Sequence, residues 1–111
     1  MNLVGVTACI SGVAHTYMAA ELLEKLAHRN GFKIHVETQG ALGCQCALTA
    51  DDIADADVVL LITDIAIDGS ERFDGCRVVH SNIRDFLSDP SRVFCAAKRA
   101  RTAPRGSTIE L

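Results

Sequence analysis

Residues 2–16 read NLVGVTACISGVAHT, an apolar run that ends at Cys9 and leads into a helical pattern. An apolar run of this kind is typical of a buried strand, and the apolar spacing over residues 15–29 predicts the helix that follows. A loop between a buried strand and a helix N-terminus directs several backbone N–H groups towards one point, where the helix dipole adds positive charge. The same field favours thiolate over thiol. The stretch therefore places a nucleophilic cysteine where an anion would bind, which indicates phosphoryl chemistry on Cys9.

Three further strand patterns follow along the chain. Asn30-Gly31 ends the first helix, and the alternation over residues 33–38 predicts a second strand with one better buried side at a sheet edge. Residues 58–62 are continuously apolar, which predicts a central strand covered on both faces. Residues 76–80 predict a fourth short strand.

Short helices and loops are predicted between these strands. The later helices are expected to start at a Thr49–Asp52 capping box, at a cap formed by Ser81 or Asn82, and at Asp89-Pro90, where the aspartate is the expected N-cap. Turn-forming residues over 39–43 and 68–75 predict surface loops.

The alternation of strands and helices predicts an α/β fold. We expect a three-layer sandwich with an open four-stranded parallel sheet, in strand order 2-1-3-4, and helices on both faces. Ligands of such sheets bind beyond the carboxyl ends of the strands, where the winding reverses, and here that crevice falls between Cys9 and Asp64. We assign residues 1–101 to this one domain. Residues 102–111 offer little with which to build a core, so they are predicted to be a disordered tail.

Composition narrows the class of protein. The chain has 111 residues, of which 49% are hydrophobic and 23% charged, as expected for one globular domain. A net charge of −3 argues against a nucleic-acid-binding protein, whose phosphate contacts need a basic face. The sequence shows neither an apolar run of about 20 residues nor a signal peptide, so we expect a cytoplasmic protein. Five cysteines, an odd number, are interpreted as reduced thiols.

Several blocks between residues 2 and 100 occur in a recognisable order and spacing. They read CISGVAHTYMAAE (9–21), VETQG (36–40), LTADDI (48–53), ADVV (56–59) and RF (72–73). Together these blocks resemble the fructose-type (fructose-like) enzyme IIB component of the bacterial phosphoenolpyruvate-dependent sugar phosphotransferase system (PTS). The motif of that family usually reads Cys-Pro-Thr-Gly before an aliphatic residue and Ala-His-Thr. Here Ile10 replaces the proline and Ser11 the threonine, which retains a hydroxyl donor.

The resemblance implies a transferase that works through a phosphocysteine. In this family the cysteine, here Cys9, takes a phosphoryl group from a phosphohistidine of the IIA component. It passes the group to a sugar carried by the membrane-embedded IIC component, which makes the protein a protein-N(pi)-phosphohistidine:sugar phosphotransferase. The expected partners are therefore IIA and IIC, with contact to the membrane through IIC only and no nucleic acid.

The phosphoryl group on Cys9 needs several hydrogen-bond donors. The candidates are the backbone N–H groups and side chains of Ile10, Ser11, Gly12, Val13, Ala14, His15 and Thr16. Asp64, Gln39 and Gly40 are candidate supporting residues at the same edge of the predicted sheet. We expect positioning and electrostatic stabilisation to carry the reaction, with no metal and no bound cofactor.

Two other functions stay open at this point. A low-molecular-weight phosphatase or arsenate reductase uses a similar strand-cysteine-loop-helix, but it needs an arginine at the sixth position after the cysteine, where this chain has His15. A regulatory or redox module would use Cys9 with Cys44 or Cys46 as the resolving thiol. The Cys44-x-Cys46 spacing is shorter than that of the usual zinc sites, so it gives little support to a metal centre.

Overall fold

Strands and helices alternate along the chain, as the sequence predicts. The structure is a computed structural model, and it describes residues 1–9, 14–40 and 43–111. The strands are β1 (Asn2–Ala8), β2 (Lys33–Gly40), β3 (Gly43–Gln45), β4 (Val58–Thr63), β5 (Val78–Ser81) and β6 (Thr108–Glu110). The helices are α1 (Ala14–Arg29), α2 (Ala50–Asp55), α3 (Ile83–Ser88) and α4 (Pro90–Arg101), with a 3-10 turn at Ser70–Phe73. None of the helices in the described part is long and apolar enough to cross a membrane.

The sheet has six strands in the order β3-β2-β1-β4-β5-β6, so the predicted number of four strands is wrong. The four predicted strands lie side by side as β2-β1-β4-β5, all parallel. β6 adds a further parallel strand beside β5, whereas β3 runs antiparallel to β2. The two added strands have only three residues each and none of these residues is buried, so neither leaves a periodic apolar pattern in the sequence.

β2 differs from its prediction in two ways. It extends through Gly40 into the predicted loop 39–43, and β3 pairs with its last three residues, so β2 forms the edge of the sheet only over residues 33–37. Both Val36 and Glu37 are buried, although alternation placed Glu37 on the more exposed side. The buried carboxylate pairs with a side chain from a distant segment, and the pattern of one strand does not reveal such a pairing.

Helices cover both faces of the sheet. On the first face α1, α3 and α4 pack on β1, β4 and β5, with Leu23, Leu60 and Phe86 fully buried among them. On the second face α2 and the 3-10 turn cover a smaller core that includes Val6 and Phe73. The predicted surface loop 68–75 therefore contains one buried anchor, Phe73, because its aromatic ring fills this second core.

Local signals at the helix ends are largely confirmed. Thr49 and Asp52 form the predicted capping box of α2, with both reciprocal hydrogen bonds present. Asn82 is the residue that caps α3, through its side chain to the backbone N–H of Asp85. Pro90 starts α4 as predicted, but the Asp89 side chain makes no capping bond and instead accepts a hydrogen bond from Ser91 Oγ at 2.6 Å.

The predicted disordered tail contains ordered structure. β6 lies within residues 102–111 and pairs with β5, and Ile109 and Leu111 pack against the first-face core. Glu110 also contacts His80 of β5, with 2.6 Å between Oε2 and Nδ1. Two separated apolar residues in a polar stretch give too weak a sequence signal for a strand, and pairing with β5 supplies the missing stabilisation. The predicted domain boundary at residue 101 stays a prediction.

Candidate functional site

Cys9 lies directly after β1 and is packed into the first-face core, with 5% of its surface exposed. Thr16, in the first turn of α1, is fully buried and donates a hydrogen bond from Oγ1 to Cys9 Sγ at 3.0 Å. A hydroxyl donor at this distance stabilises a negative charge on sulfur more than it stabilises the neutral thiol. The Thr16 hydroxyl therefore favours the thiolate form of Cys9, against the burial of the sulfur, which favours the neutral thiol.

The helix that was predicted to form the anion site starts at Ala14, only a few residues after β1 ends at Ala8. The N-terminus of α1, which carries the positive end of its dipole, thus follows closely on Cys9. Of the predicted phosphate-binding residues, His15 is exposed and Thr16 contacts Cys9. Ile10, Ser11, Gly12 and Val13 lie outside the described residues, as does the side chain of Ala14. Their contact with phosphate stays a prediction.

Asp64 connects three elements at the same edge of the sheet. It follows β4, and its backbone N–H donates to the carbonyl of Ala8 at 3.0 Å. Its carboxylate accepts a hydrogen bond from the backbone N–H of Ile83, at the start of α3, at 3.0 Å. His15 and Asp64 line one shallow cleft of about 280 Å³ together with Ile83, Arg84 and Leu87. The structure thus brings Asp64 and His15 together and gives Asp64 a clear structural role.

Gln39, another candidate supporting residue, joins β2 to the segment after β4. Its side-chain amide donates from Nε2 to Asp68 O at 3.0 Å and accepts at Oε1 from Asp68 N at 2.9 Å. Its Nε2 also donates to Glu37 Oε2 at 2.8 Å. Gly40 ends β2 and pairs with Gly43 of β3. Gln39 therefore tethers a loop, whereas the structure shows Gly40 only as part of the strand pairing.

The structure adds an ion pair that was not predicted, between Glu37 in β2 and Arg72 in the 3-10 turn. Two parallel hydrogen bonds join them, Nη1 to Oε1 at 2.9 Å and Nη2 to Oε2 at 3.0 Å, and the Glu37 side chain is only 1% exposed. Burial by itself raises the pKa of Glu37, but hydrogen bonds from Arg72, Gln39 and the Leu48 backbone, with the Arg72 charge, lower it to about 2. Glu37 and Arg72 both belong to sequence blocks that carry the family resemblance. Those blocks were the one sequence signal that could have pointed to this pair.

The other cysteines have different environments. Cys44, Cys46 and Cys95 are exposed and Cys76 is half-buried. Partial desolvation and the nearby Glu37 carboxylate raise the pKa of the Cys44 thiol, which leaves a smaller fraction of it as the reactive thiolate. Within residues 1–9, 14–40 and 43–111, no group of three or more His, Cys, Asp or Glu residues is arranged to hold a metal ion.

Replacing Thr16 by valine tests the hydroxyl contact with Cys9. Thr16→Val keeps the buried shape but removes the donor, so we expect alkylation of Cys9 by iodoacetamide to slow about fivefold, the equivalent of one hydrogen bond of about 1 kcal/mol. Peptide mapping by mass spectrometry separates Cys9 from the other thiols. Thr16→Ser is the matched control and should react at close to the wild-type rate. An unchanged rate in Thr16→Val would show that the hydroxyl does not activate the thiol.

Comparison with known proteins identifies the family. The family model described as "PTS system, Lactose/Cellobiose specific IIB subunit" matches residues 4–95. The chain is 54% identical over 109 residues to the PTS system fructose-like EIIB component 3 of Escherichia coli (strain K12), covering 98% of this chain and 96% of that protein. It is 42% identical over 88 residues to a fructose-specific EIIB'BC component of Xanthomonas campestris, of which it covers 15%.

A solved structure shows the same fold. The crystal structure described as a predicted fructose-specific IIB from Escherichia coli superposes with a TM-score of 0.95 at 52% sequence identity. The match covers 99% of this chain and 97% of that one. Both the sequence and the fold match over almost the full length, and the chain belongs to the family of IIB components of the sugar phosphotransferase system.

Proposed function

We propose that this chain carries a phosphoryl group on Cys9 between a IIA component and a fructose-like sugar. The observation that carries the proposal is the buried Cys9 at the end of β1, with the Thr16 hydroxyl 3.0 Å from its sulfur and the N-terminus of α1 beginning at Ala14. A thiol in this setting has both a donor for its anionic form and the positive end of a helix dipole close by. Those are the requirements of a thiolate that accepts and then releases a phosphoryl group.

The reaction proceeds in two balanced displacements. In the first, Cys9 Sγ attacks the phosphorus of the phosphohistidine of IIA, a P–S bond forms, the P–N bond breaks, and the imidazole leaves with the electron pair. In the second, a sugar hydroxyl oxygen attacks the same phosphorus, a P–O bond forms, the P–S bond breaks, and the thiolate is regenerated. A base of the sugar-binding partner takes the hydroxyl proton.

The chain contributes positioning and charge stabilisation to both steps. The transferred group carries about −1.5 to −2 charge, as other phosphoryl side chains do near neutral pH, so it needs several donors. Thr16 and the N-terminus of α1 can supply some of them, and we propose that the backbone N–H groups of residues 10–16 supply the rest. His15 is exposed near this edge, and we propose that it faces the donor component.

Two kinds of relative support a fructose-like sugar. The family model carries a lactose/cellobiose description. The EIIB component of E. coli that is 54% identical over nearly the whole chain is named fructose-like, and the solved E. coli structure is described as fructose-specific. We therefore propose a fructose-like sugar as the final acceptor.

The partners follow from the same reaction. A IIA component with a phosphohistidine must supply the group, and a IIC component must present the sugar. The EIIB'BC relative of Xanthomonas campestris joins B and C parts in one name, which supports contact between this chain and a IIC component. We propose that the chain works in the cytoplasm and reaches the membrane only through that partner.

A sugar-phosphorylation assay tests this function. Membrane vesicles containing a fructose-type IIC are supplied with labelled fructose, phosphoenolpyruvate, the general PTS proteins and a fructose-type IIA. We expect labelled fructose phosphate to form only when this chain is added. A parallel reaction uses cellobiose with IIA and IIC of the lactose/cellobiose type.

Comparing the fructose and cellobiose reactions tests the identity of the sugar separately from the transfer activity. Product in the cellobiose reaction alone would contradict the proposed sugar and keep the carrier role. Product in neither reaction would contradict phosphoryl transfer to sugar by this chain.

A further inference from the structure

We propose that Glu37, Gln39 and Arg72 are positioning residues for phosphoryl transfer. They hold residues 64–72, the crossing segment, over the carboxyl end of β1. The segment begins at Asp64, whose backbone N–H bonds to the Ala8 carbonyl, and continues on the second face of the sheet. It thereby fixes the end of the strand that leads into Cys9. This inference rests on the proposed transfer at Cys9 and adds to it the residues that fix the geometry of the site.

The sheet topology puts this tether at the end of β1 that leads into Cys9. β1 lies between β2 and β4 in the sheet. Gln39 of β2 is in register with Ala8, the residue before Cys9, whereas Asp68 belongs to the segment that leaves β4. The two hydrogen bonds between the Gln39 amide and the Asp68 backbone, at 2.9 and 3.0 Å, therefore join the two neighbours of β1 at its carboxyl end.

Arg72 provides the second tether of the same segment. Its guanidinium donates to Gly69 O at 2.7 Å from Nε and to Asp68 O at 3.3 Å from Nη2, in addition to its two bonds to Glu37. Gly69 has φ of +74°, and a Cβ placed there would lie 2.8 Å from Arg72 Nε. The turn thus needs a glycine both for its backbone and for the close approach of the guanidinium.

The Glu37 carboxylate connects a third part of the chain to this tether. Its Oε1 accepts a hydrogen bond from the backbone N–H of Leu48 at 2.9 Å, just before the Thr49 cap of α2. The carboxylate thus accepts four hydrogen bonds, two from Arg72, one from Gln39 and one from Leu48. One buried anion therefore fixes the positions of β2, the start of α2 and the crossing segment relative to one another.

The same hydrogen bonds favour a positioning role for Arg72 over direct binding of phosphate. A guanidinium has five N–H donors, and four bonds to Glu37, Asp68 and Gly69 already use most of them. An ionised carboxylate has about four acceptor positions, and all are in use at Glu37. Arg72 is thus neutralised by its partner, so it acts on the site through the crossing segment and not as a ligand of the phosphoryl group.

Single-turnover phosphorylation of Cys9 tests the proposal. The donor is a phosphorylated fructose-type IIA, varied in concentration up to saturation, and the variants are Arg72→Gln, Glu37→Gln, the double variant and Gln39→Ala. Misplacement of a reacting group by about 1 Å can cost up to about 100-fold in rate. We expect the transfer rate to fall about 10- to 100-fold in each variant, with little change in the donor concentration that gives half-maximal rate.

Three comparisons separate positioning from general loss of stability. Val4→Ala, a buried change on the second face near the start of β1, serves as the matched destabilised control and should keep the wild-type rate while it is folded. The double variant leaves no unpaired buried charge, so it should regain thermal stability relative to either single variant without regaining rate. Gln39→Ala leaves the ion pair intact and keeps the test available where the charge variants fail to fold.

The outcomes distinguish this inference from the proposed function. Wild-type rates in folded Gln39→Ala and in the folded double variant would overturn the positioning role while leaving the carrier function in place. A slow rate in Val4→Ala as well would assign the effect to stability and would also overturn it. A wild-type chain that accepts no phosphoryl group would overturn the proposed function, and this inference with it.

Discussion

Cys9→Ala is expected to abolish phosphorylation of the chain by a fructose-type IIA. The substitution removes the sulfur that attacks phosphorus, and no other group has the same combination of a buried position after β1, a 3.0 Å hydroxyl donor and a nearby helix N-terminus in the described ranges. The fold should persist, because alanine fits the small apolar space of a cysteine. Intact mass after incubation with phosphoenolpyruvate, the general PTS proteins and IIA reports the loss directly.

A matched cysteine variant makes this result specific. Cys95 is exposed on α4, so Cys95→Ala should accept one phosphoryl group as the wild-type chain does. Circular dichroism of both variants checks that they are folded. Phosphorylation that persists in Cys9→Ala would contradict the account, because the acceptor would then be another residue.

Arg72→Leu is expected to lower the free energy of unfolding by about 3–5 kcal/mol near neutral pH, the range for a buried ion pair that loses one partner. The Glu37 carboxylate is 1% exposed, and without Arg72 its charge would stay buried with only the bonds from Gln39 and Leu48. Urea unfolding followed by circular dichroism measures the change. Glu110→Gln, which removes the carboxylate from an exposed contact with His80, is the matched control and should change stability little.

The pH dependence of this effect has a definite sign. In the wild-type chain the pKa of Glu37 is lowered from 4.5 to about 2, so its stabilisation is present above about pH 4.5 and is lost as the pH falls towards about 2. The difference in pKa corresponds to about 3 kcal/mol. In Arg72→Leu the effect of burial dominates and favours the protonated carboxyl group, so acid should relieve the penalty.

The difference in stability between the wild-type chain and Arg72→Leu should therefore shrink as the pH falls from neutral to about 3. Because both proteins contain the same other carboxylates, the comparison isolates Glu37. A difference that stays constant over this range would show that Glu37 is not held ionised by Arg72. A small difference at every pH would show that the pair contributes little to stability.

Local sequence signals predicted the strands and helix ends that are stabilised by the same residues that give the signal. The apolar run before Cys9, the continuous run at residues 58–62 and the Thr49–Asp52 capping box each correspond to an observed element. In each case the residues that give the signal also make the stabilising contacts, either in the core or within one helical turn. The position of Cys9 at the carboxyl end of a central strand follows from the same signals.

Long-range pairing accounts for most of what the sequence did not predict. β3 and β6 are three-residue strands that form because β2 and β5 offer them backbone partners, and their own residues are exposed or half-buried. Glu37 looked like a solvent-facing residue because its partner, Arg72, lies 35 positions away in the chain. A charged residue in a strand is compatible with burial only when such a partner exists, and a single sequence does not show the pairing.

Mapping the phosphoryl group on the wild-type chain is the direct test of whether Cys9 accepts it. The chain is incubated with phosphorylated fructose-type IIA, digested, and analysed by tandem mass spectrometry under conditions that preserve the P–S bond. We expect one phosphoryl group, located on the sulfur of Cys9. A phosphoryl group on His15 or any other residue, or none at all with an active donor, would contradict it.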